Sequence, residues 1–331
     1  MEKFRFAIMG TGNIANKFCH AITLLDYCEV VAAASKSMER AERFSQSNGI
    51  SKVYDSYERM LAEVDIDCVY IAVTQDAHFD LCMLCLDYRI PILCEKAMFI
   101  NSLQAMTVFH RAKALGVFVM EAMWSRFLPA IKTAKQWMED KRIGEPVFAE
   151  TSIGFKAPAD RQNRYFNPKL GGGVAYDITV YAYELTTFFI NQKLEDYSIQ
   201  AIWSETGVDV TEQISLRFTH ALATLQTSFM TSLEEKMTLY GSKGKIVLPT
   251  PHFACEAFLY GENNSLIQHY KDEETQNGFV YEIQEVAECI LSGKTESPVV
   301  PHELTLQCSL LFDRILETNS NTNRQPFPEC P

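Results

Sequence analysis

The sequence predicts two domains. The first is an α/β domain built on a doubly wound parallel sheet, over residues 1–122. The second, residues 123–331, is an α+β domain with a large, mostly antiparallel open sheet. Three observations predict this. Short apolar runs alternate with amphipathic stretches up to about residue 122. Those runs are apolar on both faces, as strands of a covered parallel sheet must be. Beyond residue 123 the chain turns to strands separated by turn signals and framed by a few helices.

Residues 4–9 read as a strand and 13–25 as the helix that follows. A strand at 30–34 leads to a helix over 38–46, which stops near Asn48-Gly49, a C-terminal signal. A short helix spans 57–62, a strand 67–73, a helix 79–87 and a strand 91–94. Asn101 with Gln104 can start the helix that ends at Gly116, and 117–121 is a further strand. Pro129 suits the first turn of a helix to about residue 142. Residues 147–155 read as a strand and 174–189 as an apolar helix. From about 197 to 270 a series of strands is broken by turns at 219–220, 241–244 and 261–264. Ile214, Leu216 and Phe218 alternate with Ser215 and Arg217, as in a half-buried strand. Helices over 280–291 and 302–316 follow, and 319–331 reads as a loose polar tail.

The net charge of −12 argues against nucleic acid as a partner. No run of about 18 apolar residues occurs, so no membrane span is expected. The apolar run at 6–9 is too short for a signal peptide, and a cytoplasmic location is expected. The ten cysteines are scattered; Cys68, Cys85, Cys94, Cys289 and Cys308 sit in apolar runs, as buried free thiols in a reducing compartment do. Cys82 and Cys85 have C-x-x-C spacing, but zinc needs two more ligands at matching spacing. The pair reads as a helix face, and no metal is expected.

Gly10-Thr11-Gly12-Asn13-Ile14-Ala15 lies between the first strand and the first helix, in the form G-x-G-x-x-A. Gly10 permits a tight turn, Gly12 lets backbone approach a pyrophosphate, and Ala15 allows close helix–sheet packing. The helix N-terminus supplies N–H donors and a favourable dipole. The reading is a dinucleotide-binding Rossmann domain. An NAD enzyme places Asp or Glu about 20 residues further on, against the ribose 2′-hydroxyl. Here the chain has Ser35-Lys36-Ser37 and Arg40 instead. Hydroxyls and cations there suit a 2′-phosphate, so NADP is favoured, with NAD possible.

Cys94-Glu95-Lys96-Ala97 resembles the E-K-P segment of the glucose–fructose oxidoreductase / inositol dehydrogenase superfamily. Gly171 to Tyr181 (GGGVAYDITVY) is similar to that superfamily's G-G-G-x-x-x-D-I-G-x-H/Y segment. Glu121 to Pro129 (EAMWSRFLP) resembles the branch containing dimeric dihydrodiol dehydrogenase. The resemblance covers nearly the whole chain. It implies Lys96 and Tyr181 as a catalytic pair and Asp177 as the holder of a substrate hydroxyl. A lysine cation favours a phenolate, which brings a tyrosine closer to proton exchange near neutrality. Gly171–Gly173 are expected to let the helix start approach nicotinamide or substrate. Thr74, His78 and Glu95 are further cofactor candidates; Trp124, Arg126, Phe155 and Tyr165 are candidates for the substrate pocket. His78 reads equally as a helix-start residue, and Trp124 equally as core. Two departures stand out: Ala97 replaces the usual proline and Thr179 the usual glycine.

The expected activity is hydride transfer between nicotinamide and a sugar, polyol, dihydrodiol or related carbonyl. A non-catalytic nucleotide-binding regulator and a nicotinamide-assisted glycosidase are the alternatives. A homodimer through the second domain's sheet is expected, because helices can cover only one face of so many strands. The open face would carry Leu225 and Phe229 in one register, or Leu222 and Met230 in the other.

Overall fold

In the computed structural model, residues 2–158, 160 and 163–321 are described. The first strands are buried along nearly their whole length, which only a sheet covered on both faces allows. In order these elements are β1 (Phe4–Met9), α1 (Asn13–Ile22), β2 (Cys28–Ala34), α2 (Met38–Asn48), β3 (Lys52–Tyr54), α3 (Tyr57–Glu63), β4 (Cys68–Ile71), α4 (His78–Asp87), β5 (Ile92–Glu95), α5 (Ser102–Leu115) and β6 (Val119–Ala122). The six strands are all parallel, in the order β3-β2-β1-β4-β5-β6. The order reverses beside β1, which places the ligand crevice beyond the carboxyl ends of β1 and β4. Local chemistry sets the helix ends. Ser37 caps α2 at the Arg40 amide, Asn101 caps α5 at Gln104, and Gly49 and Gly116 close those helices in the left-handed region. Strand β3 is absent from the sequence reading: three residues beginning with an exposed lysine carry no periodicity.

The second set comprises α6 (Pro129–Glu139), β7 (Pro146–Gly154), a π-helical turn at Ala175–Thr179, α7 (Val180–Ile190), β8 (Leu194–Trp203), β9 (Asp209–Phe218), β10 (Leu222–Ser228), β11 (Lys236–Gly241), β12 (Gly244–Pro249), β13 (Glu256–Gly261) and β14 (Leu266–Lys271). The eight strands run β14-β13-β12-β11-β7-β10-β9-β8, antiparallel except where β10 meets β7. Helix α7 packs on β7 and β10, and α6 packs towards β12, β13 and β14. Leu225 and Phe229 are buried, whereas Leu222 and Met230 are about half exposed, so only the second of the two expected rows is open to solvent. The predicted single helix at 174–189 is a wide turn followed by a shorter helix.

Helices α8 (Phe279–Leu291) and α9 (His302–Asn321) end the described chain. Helix α8 packs beside α1, and Asn277 donates to the Lys17 carbonyl at 2.8 Å. His302 stacks on Phe109 at 4.1 Å, and Thr305 donates to Glu121 at 2.8 Å. These contacts explain why the chain forms two compact units that a single cut after residue 122 does not describe. One holds residues up to Trp124 together with Gln276–Ser309; the other holds Ser125–Thr275 and the chain from Leu310. Of the expected tail, 319–321 continue α9 and 322–331 lie outside the described residues.

Cys82 and Cys85 are buried in α4 within the first unit's core. Among the described residues no cluster of metal-ligating side chains occurs, and no helix is long and apolar enough to cross a membrane.

Candidate active site

Gly10 follows β1 at φ +105°, a conformation that side chains rarely adopt, and a Cβ there would clash with the Ala72 carbonyl after β4. Gly10 is therefore required by the neighbouring strand end. Gly12 differs: a Cβ there would meet nothing within 4 Å. It is the N-cap of α1, with no side-chain cap and no acidic residue in the first turn. Thr11, Gly12, Asn13 and Ile14 are exposed or half-buried around this helix start, the place where a pyrophosphate would need N–H donors. At the end of β2, Lys36 and Arg40 are exposed. Ser35 is buried and accepts the Ser37 amide at 3.5 Å, and Ser37 accepts the Arg40 amide at 3.4 Å as the cap of α2. The two cations are the groups here best able to meet a 2′-phosphate.

Lys96 and Glu95 stand at the carboxyl end of β5, and the half-buried Thr74 follows β4 at the same edge. The Lys96–Ala97 peptide is cis. Two buried side chains hold this loop. His78 is fully buried; Nδ1 lies 3.1 and 3.2 Å from the Ala97 and Met98 carbonyls, and Nε2 lies 3.2 Å from that of Val73. Burial lowers its pKa, and the carbonyls facing both ring nitrogens act in the other direction. His78, the first residue of α4, thus packs between the ends of β4 and β5 with no surface left open, which favours the helix-start reading. Glu121 accepts the Met98 amide at 2.9 Å. Glu95 accepts the buried Tyr70 hydroxyl, whose ring stacks on Phe18 at 3.9 Å. Trp124 is half-buried after β6 and stacks on Phe279 at 5.3 Å.

In the second unit, Asp177 sits in the π-helical turn and Tyr181 in the first turn of α7. Arg164 approaches Asp177 at 3.4 Å and lies 4.3 Å over the Tyr165 ring. Tyr165, Phe155 and Phe229 form a cluster with centroid separations of 5.1 to 5.5 Å. The structure therefore gathers Asp177, Tyr165 and Phe155 around two residues the sequence reading did not place in a pocket, Arg164 and Phe229. The Tyr181 ring lies 5.4 Å from that of His252.

One expectation needs correction. Arg126 lines no pocket: it is fully buried, donates to Glu184 Oε2 at 2.5 Å and to the Glu184 carbonyl at 2.8 Å, and lies 5.0 Å over Phe188. A buried guanidinium needs such a partner, and the spacing of 58 residues gives no sequence signal. Packing within the protein also requires glycine at 172 and 173. A Cβ on Gly172 would clash with the Arg164 and Asn167 carbonyls, and one on Gly173 with the Asp209 carboxylate. The Gly172 and Gly173 amides donate to Asn167 and Tyr165 carbonyls at 3.0 Å.

The sequence profile described as "Oxidoreductase family, NAD-binding Rossmann fold" matches residues 4–123, and that of the GFO/IDH/MocA C-terminal domain matches 131–247. Trans-1,2-dihydrobenzene-1,2-diol dehydrogenase of Mus musculus is 32% identical, covering 98% of both chains. The Xenopus laevis enzyme of that name is 30% identical, covering 95% of this chain and 97% of its own. Among solved structures, aldose-aldose oxidoreductase from Caulobacter crescentus, complexed with glycerol, superposes with TM-score 0.88 at 19% identity, over 97% of this chain and 98% of its own. KijD10, a 3-ketoreductase from Actinomadura kijaniata in complex with NADP and TDP-benzene, gives 0.85 at 22%, over 96% and 98%. At these identities the two structures show a shared fold.

Proposed function

The chain belongs to the GFO/IDH/MocA family of nicotinamide-dependent oxidoreductases, and from that premise we propose that it is an NADP-preferring dehydrogenase of vicinal diols, with trans-dihydrodiols and cyclic sugars as its substrate class. The observation that carries the cofactor is the uncapped start of α1 with open space over Gly12. Lys36 and Arg40, exposed where an NAD enzyme needs a carboxylate, favour NADP. The dihydrodiol dehydrogenase relatives and the aromatic cluster of Phe155, Tyr165 and Phe229 support the diol.

The Gly10–Gly12 loop and the start of α1 would hold the dinucleotide, whose nicotinamide would supply the hydride acceptor for oxidation of the carbinol carbon. The residues supply what remains. Tyr181 takes the hydroxyl proton, and Lys96 contributes the positive charge that favours its phenolate. Asp177, bridged to Arg164, accepts a hydrogen bond from the second hydroxyl and so orients the diol. Trp124 and Tyr165 offer apolar faces to a ring. The homodimer is part of the same proposal and forms through the uncovered face of the eight-stranded sheet.

The test is a panel of trans-1,2-dihydrobenzene-1,2-diol, aldoses and polyols with NADP⁺ and NAD⁺, read by absorbance of the reduced cofactor. Turnover of the diol, faster with NADP⁺, is expected. Tight NADP binding without turnover of any diol or sugar would overturn the reading.

A further inference from the structure

The turn carrying Asp177 is fastened to the sheet by a buried network outside the proton-transfer pair. Asp209, the first residue of β9, accepts the Ala175 amide through Oδ2 at 2.7 Å. The Thr179 hydroxyl donates to Glu212 Oε2 at 2.5 Å and lies 2.6 Å from the Thr227 hydroxyl. All four side chains are buried, Thr179 at 0% exposure and Glu212 at 2%. Burial first, and then the neighbouring charge of Asp209, push the Glu212 carboxyl well above the usual range, so it stays protonated. Asp209 is also raised by burial, but the Ala175 amide works in the other direction. One neutral acid beside one amide-bound carboxylate avoids two unpaired charges in a dry interior.

Position gives this network a role. Thr179 lies two residues from Asp177 and two from Tyr181, so holding it limits both. The resembling segment has glycine here, and glycine has no hydroxyl to reach Glu212. A π turn is a local widening of the helical backbone, uncommon and found often at functional sites. The Ala175 amide and the Thr179 hydroxyl are bonded to β9 and β10.

We propose that Thr179 and Glu212 are positioning residues, which hold the 175–179 turn on the sheet and thereby set the orientation of Asp177 and Tyr181. This rests on the reading of those two residues as the working groups of the site. Misplacement of a working group by about 1 Å can cost about 10²-fold in rate. None of these residues is among those read as holding the cofactor, so NADPH affinity serves as the control.

The test compares Thr179→Val, Thr179→Gly, Thr179→Ser and Glu212→Gln. Each is assayed for kcat and KM with trans-1,2-dihydrobenzene-1,2-diol and NADP⁺, for NADPH affinity by fluorescence, and for amide exchange across 174–181. Val and Gly remove the hydroxyl; kcat should fall by about 10–100-fold, with faster exchange in that segment and unchanged NADPH affinity. Ser should restore kcat, and Gln, a neutral acceptor like the protonated acid, should keep it. Gly decides if Val does not fold. Native kcat and native exchange in a folded Val or Gly variant would overturn the proposal, as would a Ser variant no better than Val or Gly. A wild-type protein that does not oxidise the diol refutes the substrate assignment alone, because the exchange comparison still decides whether the turn is held.

Discussion

The proposed NADP preference rests on single charges: Lys36 and Arg40 are exposed, and no carboxylate stands at the end of β2. Ser35→Asp puts a negative charge where a 2′-phosphate would sit. NADP affinity should weaken by at least about tenfold, equivalent to about 1.4 kcal/mol, while NAD affinity rises. Fluorescence titration of both reduced cofactors measures this, and a wild type that binds NADH more tightly than NADPH contradicts it. Tyr181→Phe and Lys96→Met should each lower kcat by about 10²–10⁴-fold with melting temperature and NADPH affinity preserved. Near-normal turnover in folded Tyr181→Phe removes that residue from the mechanism. At this scale, residues carried by short motifs were legible: Gly10, Gly12 and Lys96 stand beside the elements expected of them, whereas Asp177 lies in a π-helical turn rather than in the expected helix. Residues acting across long separations were not. Glu121 reaches Met98 over 23 residues and Arg126 reaches Glu184 over 58, and a single sequence carries no mark of either pairing.

Elements show where the fold stores buried charge. In α8, Glu282 is fully buried and neither carboxylate oxygen has a hydrogen-bond partner among the described residues. Burial first, then the charge of Glu95, push its pKa well above 4.5. The sign follows from linkage. The folded state keeps this proton and the unfolded state releases it above about pH 4.5, so stability falls as pH rises, by up to about 1.4 kcal/mol per unit. The stabilising contribution is complete below the unfolded value and lost as pH rises towards the folded one. Glu282→Gln should therefore flatten the pH dependence of the urea midpoint between about pH 5 and pH 8. An unchanged slope would mean Glu282 is ionised in the folded protein. The Arg126–Glu184 pair between the 124–127 turn and α7 makes the opposite case. Removing one partner by Arg126→Met strands a buried carboxylate and should cost about 3–5 kcal/mol. If denaturation instead shows native stability and KM alone changes, Arg126 belongs to the substrate after all. Helices over 174–189 and 280–291 were expected from the sequence, but an apolar segment does not tell what a polar residue on it will meet.

The whole molecule poses the problem of the uncovered sheet. Strand alternation made an open face legible, but its register was not, because Leu225 and Leu222 are both plausible on either side until α7 is seen to cover β7 and β10. The resolved register aligns one row across five strands: Leu222 opposite Phe148, Phe148 opposite Tyr240, Tyr240 opposite Lys245, and Lys245 opposite Tyr260. Phe148 and Tyr240 rings are 6.3 Å apart, and the Lys245 ammonium lies 5.3 Å over Tyr260. Leu222 is 50% exposed and the others are half-buried, so the row is mainly apolar apart from Lys245, laterally packed and open to a partner. Monomers rarely leave such a patch uncovered once it reaches several hundred Å². A two-fold pairing of the same face buries it on both copies and closes the assembly, which a head-to-tail contact would not. Light scattering should therefore give about twice the 37.6 kDa chain mass. Phe148→Asp combined with Tyr240→Asp places like charges opposite one another across the two-fold axis and should yield a folded monomer. A wild-type mass of one chain would sink the dimer, and a dimer that survives both substitutions would place the interface on another surface.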